Sequence, residues 1–289
     1  MPHVYFYRRT SFGGLKALAV ALGGTRFFGR YHPISEKVQA GDVIVCWGEA
    51  LDPIPGVTIL NGAPLRNPYQ DALALALAGV PTLQVALEPP AAPEATTSPA
   101  RLVYNDVIGA AEDFLGVSYA PHNPVFLDGV KSFAALITQL NTELRKPPAP
   151  LSTWLPRLFV HAGGADLLRP PPVADYWVKK ETFVAEVCIH SFNGQTIRTG
   201  VKTPRLGALF HPWIRSSGGG WIVDYEAPER MIAQRGMAHA AVRALGLDFG
   251  AVNLGKTAAG KWLVLKVNRA PILDTDSVTT YTNAIKQGR

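Results

Sequence analysis

The chain has 289 residues, of which 47% are hydrophobic and 17% are charged, a balance that favours a globular protein of one or two domains. Its apolar stretches are too short to cross a bilayer. At the N-terminus the first charged residues follow the apolar ones, which is the wrong order for a secretory signal. We therefore expect a cytoplasmic protein with no membrane partner. The net charge of +6 suits an anionic ligand, but scattered basic residues without a zinc-finger or RNP pattern argue against nucleic acid.

The first 66 residues predict a small α/β unit with a parallel sheet, because short apolar strands alternate with a helix. Strands are expected at 4–7, 42–47 and 57–60, and a helix at 14–22. Ligands of such units tend to bind where the strands end, and Trp47, Gly48 and Asn61 stand at those ends. The glycine pair before the helix has two interpretations, a phosphate-binding turn or a plain strand–turn–helix connection.

Residues 67–150 predict a central helical lobe, which a Pro/Ala-rich loop at 89–100 interrupts. Such a composition cannot pack a core. The first helix of this lobe spans 67–79, with Pro68 in its first turn, where proline is tolerated. The composition becomes rich in strands from residue 151 onward, which sets the predicted boundary of a C-terminal lobe at 151–289.

The two cysteines predict structural thiols. Cys46 and Cys188 each lie within an apolar, strand-like run, and neither has the CxxC or Cys/His spacing of a metal site. We therefore expect both to be buried, with no disulfide and no zinc.

The C-terminal lobe predicts antiparallel strands. A long strand is expected at 183–192, followed by a tight turn at Asn193-Gly194 and a returning strand at 195–201. Glu186 and His190 are four residues apart on the long strand, so their side chains should share one face of the sheet.

A helix at 228–245 leads into a β-hairpin with strands at 249–254 and 262–267. Polar side chains at the ends of buried strands are unusual unless they are paired or coordinate a ligand. The hairpin carries five of them, at Asp248, Asn253, Lys266, Asn268 and Arg269.

Three sequence segments carry a resemblance to a known superfamily. They are EVCIHSFNG at 186–194, AVRALGLDFGAVNLG at 241–255 and VLKVNRAPILDTDSV at 264–278. In these segments the chain resembles the ATP-grasp superfamily, and in particular a group of ATP-grasp-like proteins from bacterial viruses. The resemblance implies an α/β (α+β) fold, with an N-terminal α/β pre-ATP-grasp unit followed by antiparallel-sheet nucleotide-binding lobes.

The resemblance also implies ATP bound between two lobes, and a reaction that joins a carboxylate to an amine through an acyl phosphate. Carried over to this chain, it assigns phosphate contacts to a base and a glycine-rich loop, adenine contacts to the backbone of a hinge, and catalytic roles to basic side chains. These positions are His161, Gly163 and Gly164 for the phosphates, Tyr176, Trp177 and Val178 for adenine, Glu186 for the nucleotide, and Lys202 and Arg215 for catalysis.

The positions that the resemblance assigns to magnesium have changed. The first metal aspartate is here Asn253, the metal glutamate is Lys266, and only the metal asparagine, Asn268, is retained. A lysine ammonium has three donors and no acceptor, so it repels a divalent cation. It can instead neutralise phosphate oxygens as a point charge. Alternatively, it can form a salt bridge at the strand end, where Asp274 and Asp276 are candidate partners for Lys266 or the neighbouring arginine.

Two functions are compatible with this pattern. The first is a catalytically degenerate ATP-grasp-like protein, with ATP as its candidate ligand and no expected use of magnesium. It would act with an unknown protein partner, as a binding or structural component of a virus-encoded system in the host cytoplasm. The alternative is an active ATP-dependent carboxylate–amine ligase. The changes at Asn253 and Lys266, together with Pro68 in place of a lysine, favour the first.

Overall fold

The computed structural model describes residues 3–8, 13–23, 26–29, 33–87, 154–157, 174–206, 215, 220–225 and 231–288. The chain divides into two compact units, residues 1–88 with 155–289, and residues 89–154. The loop predicted at 89–100 and most of the predicted central lobe lie outside the described residues. The boundaries predicted at residues 66 and 150 therefore stay a prediction.

The described residues form four α-helices and twelve strands. The helices are α1 (Gly13–Ala21), α2 (Pro68–Leu77), α3 (Ile232–Ala244) and α4 (Thr275–Gln287). The strands are β1 (Val4–Arg8), β2 (Arg26–Gly29), β3 (Val43–Trp47), β4 (Thr58–Leu60), β5 (Val85–Ala86), β6 (Trp154–Arg157), β7 (Tyr176–Lys179), β8 (Phe183–Phe192), β9 (Gln195–Pro204), β10 (Trp221–Asp224), β11 (Phe249–Thr257) and β12 (Trp262–Asn268). No helix among these is long and apolar enough to span a membrane.

The N-terminal strands form the parallel sheet that the sequence predicts. Its order is β2-β1-β3-β4, and every neighbouring pair is parallel. The apolar side of α1 buries Leu15 and Leu18 in a core shared with Phe6 and Val45. The other described strands are largely antiparallel. The combination of a parallel sheet, a packed helix and antiparallel strands confirms the mixed α/β fold class.

The central feature of the C-terminal part is an antiparallel sheet of order β10-β9-β8-β11-β12. Strands β8 and β11 alternate their side chains between the two faces of this sheet. One face is apolar and packs against α3 through Val187, Ile189, Val252 and Leu254. The hairpin predicted at 249–267 is confirmed, although β11 and β12 are slightly longer than the sequence predicts.

Asn61 joins the N-terminal unit to the central sheet. Its side-chain amide donates to the carbonyl oxygen of Phe249 (2.9 Å), and its side-chain oxygen accepts from the backbone N–H groups of Asp248 and Phe249 (2.9 Å each). The Asp248 carboxylate accepts from the Asn61 backbone N–H at 2.6 Å. Asn61 therefore has a structural role, and the prediction that its side chain faces a ligand is wrong.

Trp47 also belongs to the core rather than to a ligand crevice. Its ring packs against Phe249 and Tyr281, with centroid distances of 5.1 and 5.6 Å. These aromatic contacts extend the link between β3 and the central sheet that Asn61 begins.

Both cysteines are buried and free, as predicted. Burial raises the pKa of Cys188 to about 11 and that of Cys46 to about 12. The thiolate is the reactive form of cysteine, so neither side chain is a nucleophile at neutral pH.

We predict that Asn61→Ala lowers the free energy of unfolding by about 2–4 kcal/mol, because buried backbone donors on Asp248 and Phe249 lose their acceptor. Asn61 has a positive φ of 60°, as does Asn193 with 45° in an exposed turn. Asn193→Ala is therefore the matched control, because it measures the free-energy cost of placing alanine at a positive φ without the loss of buried hydrogen bonds. Urea denaturation of both variants measures the difference, and equal losses would contradict the role given to the Asn61 side chain.

Candidate functional site

The face of the central sheet opposite α3 carries the polar residues, and we call it the polar face. Asn253 on β11 is paired across the sheet with Cys188 on β8 and with Lys266 on β12. Glu186 lies opposite Gly255 on the same face. The residues that define the polar face are Glu186, Cys188, His190, Arg198, Lys202, Asn253, Lys266 and Asn268. Glu186, Asn253, Lys266 and Asn268 thus lie on one face of the sheet.

Glu186 is a buried carboxylate held by two cations. Its Oε2 lies 2.9 Å from Lys202 Nζ, and its Oε1 lies 3.6 Å from Arg215 Nε. The Glu186 side chain is 6% exposed, and each cation is 13% exposed. A buried charge of this kind is tolerated only when it is paired. The two residues predicted to be catalytic therefore meet at the predicted nucleotide-binding carboxylate.

Arg215 is fixed by further contacts. It donates from Nη2 to the carbonyl oxygen of Phe183 at 2.5 Å, and its guanidinium lies 4.7 Å from the centroid of the Trp221 ring. These contacts hold the guanidinium in one orientation beside Glu186. The net charge of Glu186, Lys202 and Arg215 is positive, which suits an anionic ligand.

Lys266 is an exposed cation on the polar face. Within the described part of the chain no acidic group lies within ion-pair distance of its ammonium. Desolvation is the largest influence on the pKa of Lys266 and lowers it, and the positive charges of Arg157 and Lys202 lower it further, while Asp71 raises it. The Lys266 side chain is itself exposed to solvent, so it does not need an acidic partner to be stable as a cation.

The prediction that Asp274 or Asp276 forms a salt bridge with Lys266 or Arg269 is wrong. Both aspartates pair with Arg198 on β9, Asp274 through Nη1 and Asp276 at 3.4 Å. Asp274 also accepts from the backbone N–H of Ser277 at 2.8 Å and so caps the N-terminus of α4. The Arg198 bridge therefore ties α4 to the sheet and leaves Lys266 available.

Arg269 has a different structural partner. It donates to the carbonyl oxygen of Pro64 at 2.8 Å and lies 3.3 Å from the Asp71 carboxylate in the first turn of α2. Asp71 is partly buried, and desolvation raises its pKa against the lowering effect of Arg269. Arg269 thus connects the end of β12 to α2.

His190 is the centre of a buried hydrogen-bond network. Its Nδ1 lies 3.1 Å from the Tyr281 hydroxyl and its Nε2 lies 2.9 Å from the Tyr225 hydroxyl. The Arg198 guanidinium stacks on the Tyr225 ring, 3.7 Å from its centroid. Burial, assisted by the positive charge of Arg198, lowers the pKa of His190 to about 4. His190 is therefore neutral at physiological pH and cannot act there as a phosphate-binding cation.

The donor set at Asn253, Asn268 and Lys266 does not fit a magnesium ion. Magnesium requires hard oxygen ligands, usually with carboxylates among them. Here the two amides offer at most carbonyl oxygens, and the Asn268 Oδ1 already accepts from the backbone N–H of Ala270 at 3.1 Å. Across the described ranges, no group of three His, Cys, Asp or Glu side chains could hold a metal.

The remaining predicted ligand positions divide into two groups. His161, Gly163 and Gly164 lie outside the described residues. The predicted hinge falls on β7, the middle strand of a three-stranded sheet of order β5-β7-β6. Tyr176 and Val178 are buried there, and the Tyr176 ring lies 6.1 Å from that of Tyr69. Adenine binding by the backbone of Tyr176, Trp177 and Val178 stays a prediction.

Comparison with known structures places this architecture in a known fold. The structure of the ATP-grasp ligase PsnB with a minimal precursor matches with a TM-score of 0.54 and 10% identity, over 99% of this chain and 100% of that chain. PsnB with a phosphomimetic variant of the precursor, Mg and ADP matches with a TM-score of 0.51 and 9% identity, over 100% and 99% of the two chains. No protein-family model matches this chain, and no curated protein matches it significantly.

The chain therefore has an ATP-grasp fold, as the sequence resemblance implied. Identities this low extend the likeness to the fold alone. The chemistry of this chain must be argued from its own polar face.

We predict that His190 makes stability depend on pH. The pKa of His190 falls from its usual 6.5 to about 4 on folding, so the unfolded state binds more protons between these values. Its contribution to stability is complete above about pH 6.5 and is lost as the pH falls toward 4, with a slope of up to about 1.4 kcal/mol per pH unit. Denaturation from pH 4 to 7 should show a shallower slope for His190→Gln; equal slopes, or an NMR titration of His190 near pH 6.5, would contradict this.

Proposed function

We propose that this protein is a catalytically degenerate ATP-grasp-like protein that binds a nucleotide and does not transfer its phosphoryl group. One observation carries the proposal: Asn253 and Lys266 are paired on adjacent strands at the positions assigned to two metal-binding carboxylates. Phosphoryl transfer in ATP-dependent enzymes relies on magnesium to bridge phosphate oxygens and neutralise developing charge. A site that cannot hold this ion lacks the main electrostatic contribution to that reaction.

The groups that bind an anion are retained on the same face. Lys202 and Arg215 are oriented by Glu186, and Lys266 has no acidic partner among the described residues. Hydrogen bonds from Lys or Arg to a phosphate are charge-assisted and stronger than bonds between neutral groups. We expect these three side chains to contact the phosphates of ATP.

The proposed biological role is that of a binding or structural component, in keeping with the resemblance to ATP-grasp-like proteins of bacterial viruses. Loss of catalysis with retention of the fold is compatible with selection for binding to a protein partner. Such a role predicts that ATP changes the affinity for the partner without being consumed.

An active carboxylate–amine ligase is the second candidate function. Its support is the fold shared with PsnB, a ligase whose structures contain a precursor and, in one case, Mg and ADP. The Glu186–Lys202 pair would serve either function, since it needs no metal to form. The two functions differ in whether ADP is produced.

The decisive assay measures ATP binding and ADP formation on the same sample. We predict that ATP raises the melting temperature and that no ADP forms with magnesium and mixtures of carboxylate and amine acceptors. Lys202→Ala should weaken ATP binding about tenfold or more, because a charge-assisted phosphate contact is lost. Lys261→Ala, at an exposed position just before β12, is the control and should bind ATP normally. Acceptor-dependent ADP formation would establish the ligase, and the absence of any ATP-induced shift would remove nucleotide binding.

A further inference from the structure

Glu49 is a buried carboxylate to which the described residues offer no partner. It lies two residues beyond the end of β3 and is 4% exposed. Its Oε1 is buried and accepts no hydrogen bond, and no lysine, arginine or histidine of the described ranges forms an ion pair with it. A buried carboxylate loses its hydration, so it is normally paired or hydrogen-bonded.

Two other carboxylates of the described residues are buried to a similar degree, and both have partners. Asp42 is 4% exposed and accepts from two backbone N–H groups at 2.9 Å each. Glu186 is 5% exposed and is paired with two cations. Glu49 thus differs from carboxylates that the fold itself satisfies. A buried polar atom without a partner requires an explanation, and a ligand that completes it is one.

The position of Glu49 in the N-terminal sheet favours a ligand. The sheet has the order β2-β1-β3-β4, so the chain continues from β1 to β2 on one side and returns to β3 on the other. Ligands of open parallel sheets bind outside the carboxyl ends of the strands at this reversal. Trp47 and Asn61 also lie at these strand ends, but both are occupied by contacts with the central sheet. Glu49 is the polar side chain at the reversal that remains without a partner.

Gly48 brings this strand end close to the polar face. It has a φ of 78°, and a Cβ at this residue would lie 3.1 Å from the Cβ of Ala270. Ala270 follows β12 directly after the polar face, and its backbone N–H donates to Asn268 Oδ1 at 3.1 Å. The strand end that carries Glu49 therefore borders the polar face without belonging to it.

We propose that Glu49 binds an alkylammonium group of a ligand at the carboxyl end of the N-terminal sheet. An ammonium is a compact charge with three donors, which suits a narrow approach to one unpartnered oxygen. A guanidinium is a planar fork that pairs best with both oxygens of a carboxylate. The bound ammonium has no lone pair and cannot attack an acyl phosphate, so this site recognises a ligand and does not activate an acceptor amine.

The first test measures the stability of the protein without ligand. Glu49→Gln keeps the shape of the side chain and removes an unpaired buried charge, so it should raise the melting temperature by about 2–4 °C. Glu36→Gln makes the same change at an exposed position of the N-terminal unit and should leave the melting temperature unaltered. No change for Glu49→Gln would mean that Glu49 carries no buried charge, and a lower value would give it a structural role; either result would overturn the proposal.

The second test is an NMR titration of the nitrogen-labelled protein, followed at the backbone amides of Gly48 and Glu49. Butylammonium should shift these resonances to saturation, whereas n-butanol, which has nearly the same shape and no charge, should not. Glu49→Gln should weaken butylammonium binding by about tenfold to a hundredfold, because a charge-assisted hydrogen bond is lost. Glu36→Gln should alter it by less than about threefold.

Nα-acetyl-lysine methylamide is a second probe that separates two sources of the ammonium group. Binding at least as tight as that of butylammonium assigns the group to a lysine of a polypeptide, and weaker binding assigns it to a small amine. Equal responses to butylammonium and n-butanol in the wild-type protein, or a titration that Glu49→Gln leaves unchanged, would overturn the proposal. Nucleotide binding is measured separately on the polar face, so failure here would leave the proposed function intact.

Discussion

The alternation of β8 and β11 between two faces is the constraint on which the rest of the structure depends. One face must be apolar because it packs against α3, and the period of two then places every second side chain on the opposite face. Glu186 and Asn253 share that surface for this reason. Lys266 reaches it through its pairing with Asn253, next to a shift in the β11–β12 register between Asn253 and Leu254. A slip of one residue in register would bury these polar groups against α3, so the apolar packing fixes the geometry of the site.

The ion pairs distinguish the cations that have a structural role from Lys266, which has no acidic partner among the described residues. Arg198 is bound to Asp274 and Asp276, and it anchors α4 to the sheet. Arg269 joins β12 to α2 through Asp71. Lys202 is shared with Glu186, a partner that orients it. Lys266 is exposed on β12, where it is paired with Asn253, and it has no acidic partner among the described residues.

Local patterns predict the local structure well. The Asn193-Gly194 turn and the alternation of 183–192 predict β8 with the bounds it has in the structure, and they place Glu186 and His190 on one of its faces. The long-range partners cannot be predicted in this way. Arg198 and Asp274 are 76 residues apart, and His190 and Tyr281 are 91 apart, so no periodicity links them.

The structural role of Asn61 is hidden from sequence patterns for the same reason. Its partners at the start of β11 are 187 and 188 residues away, whereas its place at the end of β4 is a local feature. The local feature favours a ligand position, and only the packing of the N-terminal sheet against the central sheet reveals the hydrogen bonds that occupy the side chain.

The central claim is that the polar face binds a nucleotide without a magnesium ion at Asn253 and Lys266. A crystal structure of the protein with ATP and EDTA, compared with one grown with magnesium, tests it most directly. The account predicts a phosphate oxygen within hydrogen-bond distance of Lys266 Nζ, at about 2.7–3.2 Å, in both crystals and no metal density beside Asn253. A magnesium ion coordinated by Asn253 and Asn268, with Lys266 turned away from the phosphates, would contradict it.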